Sequence, residues 1–205
     1  MGQSPDDPAF GSMFFTDAQL ADYKSGAVGT DWYKETMKSA ALQQAHNISV
    51  TGGTDAVKYF FSLGYTNQEG MFDGISFDRY NFRSNVDASI TKHLTISVNL
   101  DASLSQSDGK DWAENTIFSH VIMARPILTA YNPVNGLPIN TTGEHPIEAI
   151  KSKGYSKYTK NNFYGTLSFK HDLPFVTEGL SVSGRASYRK YYDFKKVFNV
   201  PYEMY

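Results

Sequence analysis

In the stretch "VKYFFSLGYTNQEG" the apolar residues fall on alternate positions. Val57, Tyr59, Phe61, Leu63 and Tyr65 share one parity, Lys58, Ser62, Gly64 and Thr66 the other, and Phe60 is the exception. A period of two is that of a β-strand with two unlike faces. Further on, Tyr80, Phe82, Val86, Ala88 and Ile90 oppose Asn81, Arg83, Asn85, Asp87, Ser89 and Thr91, and Leu94, Ile96, Val98, Leu100, Ala102 and Leu104 oppose Thr95, Ser97, Asn99, Asp101, Ser103 and Ser105. The pattern predicts strands over 47–51, 57–66, 79–91, 94–105, 162–172 and 180–192. The longer runs exceed the usual five or six residues of a globular strand and match the roughly 9 to 11 that a tilted strand needs to cross a bilayer.

Alternation alone does not say what the apolar face touches, because a sandwich strand alternates in the same way with that face turned inward. The connections add information. "GGTDA", "KH" and "LPFVTEG" are short, "NQEGMFDGISFD" is longer, and 106–161 is a long loop, so short and long take turns. Outer-membrane barrels alternate in this way, with tight turns on one side and long extracellular loops on the other. Aromatics collect at both ends: Tyr65, Phe77, Tyr80, Phe163, Tyr188 and Tyr192 toward the long loops, Tyr59, Phe169 and Phe175 toward the short turns. Two aromatic girdles are the mark of a membrane-spanning wall. The fold expected is therefore all-β, an antiparallel transmembrane β-barrel segment of about six strands with a long, partly helical extracellular loop. Ahead of the strands, "TDAQLADYKSG" and "TDWYKETMKSAALQQ" read as helical pieces, each opened by a Thr-Asp pair suited to capping. Residues 1–45 are expected to form an extracellular, helical lead-in, and 46–205 the partial barrel.

Composition is compatible with that reading. The 205 residues carry a net charge of −2 and 40% hydrophobic residues, without any run of about 18 apolar residues for a membrane helix. A barrel also reads as polar, because half of each strand faces a wet lumen. The aromatic share is 15%, with 14 Tyr and 14 Phe. Cysteine is absent, which removes disulfides, thiolate nucleophiles and cysteine-ligated metals. The first residues, "MGQSPDDPAFGSMFF", have neither the basic nor the apolar region of a secretory leader.

Candidate chemistry is sparse. His46, His93, His120, His145 and His171 lie far apart without a metal-ligand spacing, and no nucleophile elbow, Walker loop or dinucleotide fingerprint occurs. No metal, cofactor or enzymatic activity is expected. Asp111 followed by Glu114 predicts a capped helix over 112–123. Trp112 and Tyr131, on the long loop, are candidates to stack on a sugar ring; packing within the loop is the alternative. "YRKYYDFKKVF" interleaves bases and aromatics as single-stranded nucleic acid platforms do. A net charge of −2 argues against nucleic acid, whereas at the rim of a barrel the same bases would meet lipopolysaccharide phosphates.

"GTDWYKETMKSAALQQAHNISVTGGTDAVKYFFSLGYTNQEGMFDGISFDRYNFRSNVDASI" resembles the early barrel of SusC/RagA-type TonB-linked outer membrane proteins. The pieces that carry the resemblance are Thr30 to Trp32, "NISVTGGT", "YFFSLGYTNQEG" and "DRYNFRSNVD", followed by "ARPILTAYNPVNG" and "LPFVTEGLSVSGRASY". The resemblance implies active import of a glycan or peptide fragment across the outer membrane of a Bacteroidetes-type bacterium. It implies a SusD-type surface lipoprotein partner and energy from the TonB complex. Measured against that family, the sequence contains no leader, N-terminal carboxypeptidase-like domain, TonB-contacting box or plug, and only about six strands of a 22-stranded barrel. It reads as an excised or partial segment.

On this reading Lys58, Arg83, Asn85, Asp87, Asn99, Asp101 and Arg185 face inward, lining the lumen or pairing with a plug or with one another. The alternatives are a soluble β-sandwich that binds carbohydrate and a glycan-active enzyme, which would need two carboxylates roughly 5 to 10 Å apart.

Overall fold

A computed structural model describes residues 15–140 and 145–201; 1–14, 141–144 and 202–205 lie outside the described residues. The elements are α1 (Asp17–Ser25), α2 (Trp32–Thr36), β1 (Gln43–Gly53), β2 (Val57–Glu69), β3 (Ser76–Ser89), β4 (Leu94–Gly109), α3 (Glu114–Met123), α4 (Pro146–Lys151), β5 (Tyr155–Asp172) and β6 (Ser181–Phe198). The strands form one antiparallel sheet in sequence order, β1-β2-β3-β4-β5-β6. Each strand pairs with the next through a local connection, as an up-and-down barrel wall requires.

All the predicted strands are present, and β2 to β4 fall close to their expected starts. On the side of the long loop they run further than the alternation indicates. β4 continues to Gly109 and β5 starts at Tyr155, which narrows the expected loop 106–161 to 110–154. β1 likewise begins at Gln43, inside the segment expected to be helical, and α2 stops at Thr36. The physical reason is common to these extensions. Once a strand leaves the level at which one face must be apolar, alternation disappears while the backbone ladder, as in Gln106 with Thr159 and Asp108 with Lys157, continues unchanged.

The connections still alternate in length, though they no longer divide cleanly into two classes. The β2–β3 turn spans only 70–75, closed by Gly70 N–H donating to the Ile75 carbonyl at 2.8 Å with Gly74 at φ 76°. The β5–β6 turn, expected to be short, spans 173–180 and is longer. The β4–β5 connection is the long one.

Local chemistry explains the helices. Thr16 caps α1 in a reciprocal capping box with Gln19, and Gly26 ends it at φ 74°, the left-handed value that favours glycine. The helix expected at 112–123 forms as α3, but its N-cap is Ala113 without a side-chain hydrogen bond. Asp111 is used elsewhere: Oδ2 accepts from Val200 N–H at 3.1 Å, Oδ1 is buried with no partner among the described residues, and the carboxylate occupies the space that a Cβ at Gly154 would need. It thereby joins the ends of β4, β5 and β6.

The chain forms two compact units. One contains 1–37, 113–152 and 201–205, and the other 38–112 and 153–200. The lead-in and the long loop thus make a helical unit together, and the sheet is a unit by itself.

Candidate functional site

In the sheet unit the register sorts every side chain to one of two faces. Ile48, Leu63, Phe82, Ala102 and Phe163 are cross-strand neighbours in one row, and Val50, Phe61, Ser84 and Leu100 lie in the next. This apolar face is bare. Ile48 is 70%, Leu63 60% and Leu167 52% exposed, and among the described residues no second sheet packs on it. Burying such a face is worth about 1.5–3 kcal/mol per large side chain, so a sandwich that left it uncovered would lose most of its stabilisation. The contrast with the helical unit is direct: among the described residues the buried apolar ones Trp32, Ile117, Val121, Ala124, Ile147, Ala149 and Ile150 belong to that unit and only Phe72 to the sheet unit. Among the described residues these strands thus have no facing sheet of the kind a sandwich uses.

The height of the apolar band fits a bilayer. On β4 it runs from Leu94 to Leu104, about 34 Å of strand. At a tilt of about 45° this is about 24 Å of height, against about 25 Å for the apolar band of a membrane barrel.

The opposite face is polar and carries all seven of the residues expected to point inward. Lys58 sits opposite Asp87, Asn85 opposite Asn99 and Arg83 opposite Asp101, and Arg185 opposite Ser168. Arg83 donates to Asp101 Oδ2 from Nε at 3.1 Å and from Nη2 at 2.9 Å. Both partners are about half exposed or more, so the pair is worth about 0.2–1 kcal/mol. These residues share one polar face, on which Arg83 and Asp101 form an ion pair.

Within the helical unit the polar centre is His145, which is fully buried. "HPIE" starts α4 with Pro146 in the first turn, and His145 Nδ1 accepts from Glu148 N–H at 3.2 Å. Its Nε2–H donates to the Ala130 carbonyl at 2.7 Å, so the ring is held as the neutral tautomer. Trp32 meets it edge-on with centroids 5.6 Å apart, and Tyr131 packs at 5.3 Å. Burial pushes the His145 pKa below its ordinary value.

Tyr131 belongs to this cluster. Its hydroxyl donates to Glu148 Oε1 at 2.6 Å and accepts from Lys151 Nζ at 3.0 Å, while Lys151 Nζ also lies 5.3 Å from the ring centroid. Burial and the Glu148 carboxylate raise the Tyr131 pKa, and the hydrogen bond to Tyr131 raises that of Lys151. Trp112 falls in the sheet unit and Tyr131 in the helical one. The Trp32–His145 contact escaped the sequence reading. The signal for half of it was the His-Pro-x-Glu start of a helix, and nothing local paired it with Trp32.

No protein-family model matches the chain. TonB-dependent receptor P3 of Formosa agariphila is 26% identical over 177 residues, which is 80% of this chain and 18% of the relative. TonB-dependent receptor SusC of Bacteroides thetaiotaomicron is 25% identical over 174 residues, 80% of this chain and 17% of the relative. The chain therefore spans less than a fifth of the curated relatives it matches. The RagAB peptide importer in its closed-closed state superimposes with a TM-score of 0.57 at 22% identity, over 82% of this chain and 19% of that one. Its open-open state gives a TM-score of 0.57 at 23%, over 85% and 20%. The chain is similar to SusC/RagA-type TonB-dependent receptors. The likeness to these neighbours shows the fold of the sheet, a segment of an antiparallel barrel wall.

Proposed function

We propose that this chain supplies part of the wall and one extracellular loop of an outer-membrane TonB-dependent transporter that imports glycan or peptide nutrients. The observation that supports this most is the sheet with one bare apolar face and one hydrated, charge-paired face. That division suits a wall between lipid and a wet lumen. In this reading Lys58, Arg83, Asn85, Asp87, Asn99, Asp101 and Arg185 line the lumen or meet a plug, and 110–154 lies outside the cell. A SusD-type surface lipoprotein is the partner and the TonB complex the energy source. The solved neighbours are peptide importers by name, and the SusC relative carries no substrate in its name.

The test is uptake by cells whose full-length gene is deleted. Growth should fail on either an oligosaccharide or a peptide source as sole nutrient, with the same loss when TonB is inactivated and rescue by the intact gene. Unchanged growth on every nutrient of both classes would sink the proposal. An affinity-tagged transporter should also bring down a surface lipoprotein encoded beside it.

A further inference from the structure

The face that the proposed function turns toward lipid carries charges that an apolar band does not need. Lys157 of β5 and Lys196 of β6 are direct register partners on that face, and like charges placed opposite each other destabilise a sheet. Their ammonium groups lie over one ring, 5.9 and 5.7 Å from the centroid of Tyr155. Asp108, the β4 neighbour of Lys157, approaches it at 3.5 Å. The Asp108 carboxylate pairs with Lys157, the β5 member of the opposed pair.

These lysines stand in register two outward positions beyond Leu104, about 13 Å of strand past the end of the apolar band. That is the depth of lipid headgroups. Below them an open groove of about 740 Å³ crosses the outward face between two rows of side chains. Leu63, Phe82, Leu104 and Phe163 line it, and Lys190 and Tyr192 close its β6 end. A lysine in such a place extends its ammonium toward the interface along its alkyl stem.

We propose that this surface binds a phosphorylated glycolipid of the outer leaflet, with a phosphate between Lys157 and Lys196 and an acyl chain in the groove. The proposal rests on the reading of the apolar face as the lipid-facing one. The phosphate adds a counter-charge beside Lys196 to the one that Asp108 gives Lys157, the Tyr155 ring lies under both ammonium groups, and Lys190 offers a third cation where the groove meets β6. An apolar chain without a charged head would satisfy the groove and leave the lysine pair repelling.

The test uses the detergent-solubilised full-length transporter, titrated with bisphosphorylated lipid A and read by native mass spectrometry. Replacing both lysines, Lys157→Gln with Lys196→Gln, should weaken binding about 10- to 30-fold, the loss of two cations near an anionic headgroup. Lipid A stripped of its phosphates should bind weakly to both proteins alike. Lys92→Gln, in the β3–β4 turn at the other end of the strands, should change nothing. Undiminished binding by the double variant would overturn the proposal, as would inorganic phosphate competing as well as the lipid does. The reading beneath it fails separately: a probe at Leu100 would then sit in water, whatever the lysines do.

Discussion

The two compact units use apolar residues in opposite ways. In the helical unit Trp32, Ile117, Val121, Ile147 and Ile150 are buried, so its stability comes from removing them from water. In the sheet unit Ile48, Leu63, Phe82, Phe163 and Leu167 stand exposed, and the sheet is held by its ladder and by cross-strand pairs. The same composition therefore means a core in one region and a surface for another solvent in the other. Hydrophobicity alone does not distinguish the two; the periodicity and the length of the runs do.

The largest effect should come from the buried side of this comparison. Trp32→Ala removes the ring that meets His145 and whose Nε1–H donates to the Arg125 carbonyl at 3.0 Å. The expected cost is about 3–5 kcal/mol, felt as local opening of the helical unit with the barrel intact. Hydrogen exchange should show lost protection in α3 and α4 and none lost in β3 and β4. Protection lost equally in both would contradict the independence of the units.

In the sheet, Leu100→Arg should cost about 2–4 kcal/mol if it faces lipid, measured by refolding the full-length barrel into bilayers. Asn99→Arg places the same charge on the hydrated face and should cost much less. Leu100→Phe separates lipid from a packed core, which would lose about 1–3 kcal/mol to overpacking where lipid would yield. Equal damage from Arg and Phe would contradict the assigned face.

Acidity should act on the helical unit and spare the sheet. Burial holds the His145 pKa below the ordinary value, about 6.5 in an unfolded chain. Its neutral form is therefore favoured by folding, the stabilisation is complete above about pH 6.5, and it is lost as pH falls toward the depressed folded value. Of the groups facing the ring, Trp32 does not titrate, Tyr131 and Lys151 are both shifted upward, and the Glu148 carboxylate opposes the downward shift of the imidazole. Trp32 fluorescence, read in a Trp112→Phe background, should report opening as pH drops below 6.5 in a way that His145→Gln abolishes. An unchanged acid response in that variant would exclude His145 as the cause.

The smallest effect concerns the hydrated face. Arg83→Gln breaks the pair with Asp101, both partners about half exposed or more, and should cost under about 1 kcal/mol. A loss of several kcal/mol would mean that the pair is buried in the intact transporter.

Much of this architecture was legible in the sequence because the bilayer imposes a strict pattern. Leu94 to Leu104 alternate without a break and Val57 to Tyr65 with Phe60 alone out of place, so strand and face follow together. Seven polar residues could be assigned to one face by parity alone, and the register agrees for each. The pattern stops where its cause stops. Beyond Leu104 and before Asn162 neither face must be apolar, so the extensions of β4, β5 and β6 left no periodic trace and read as loop. Asp111 shows a different limit. Three residues before Glu114, it has the sequence of a helix cap, yet it accepts from Val200, a partner so distant in the chain that no local pattern announces it. The helical unit was hidden for the same reason, since Trp32 and His145 come from separate segments that only tertiary packing brings together.

The central claim is that one face of the sheet meets lipid and the other meets water. This chain contains no cysteine, so single substitutions Leu100→Cys and Asn99→Cys in the full-length transporter can carry nitroxide labels. In bilayers, relaxation by oxygen, which concentrates in lipid, and by a water-soluble nickel chelate should separate these adjacent positions. Strong oxygen and weak nickel relaxation are expected at Leu100, and the reverse at Asn99. Nickel access at Leu100 equal to that at Asn99, or exclusion of both reagents from Leu100 as in a packed protein core, would contradict it.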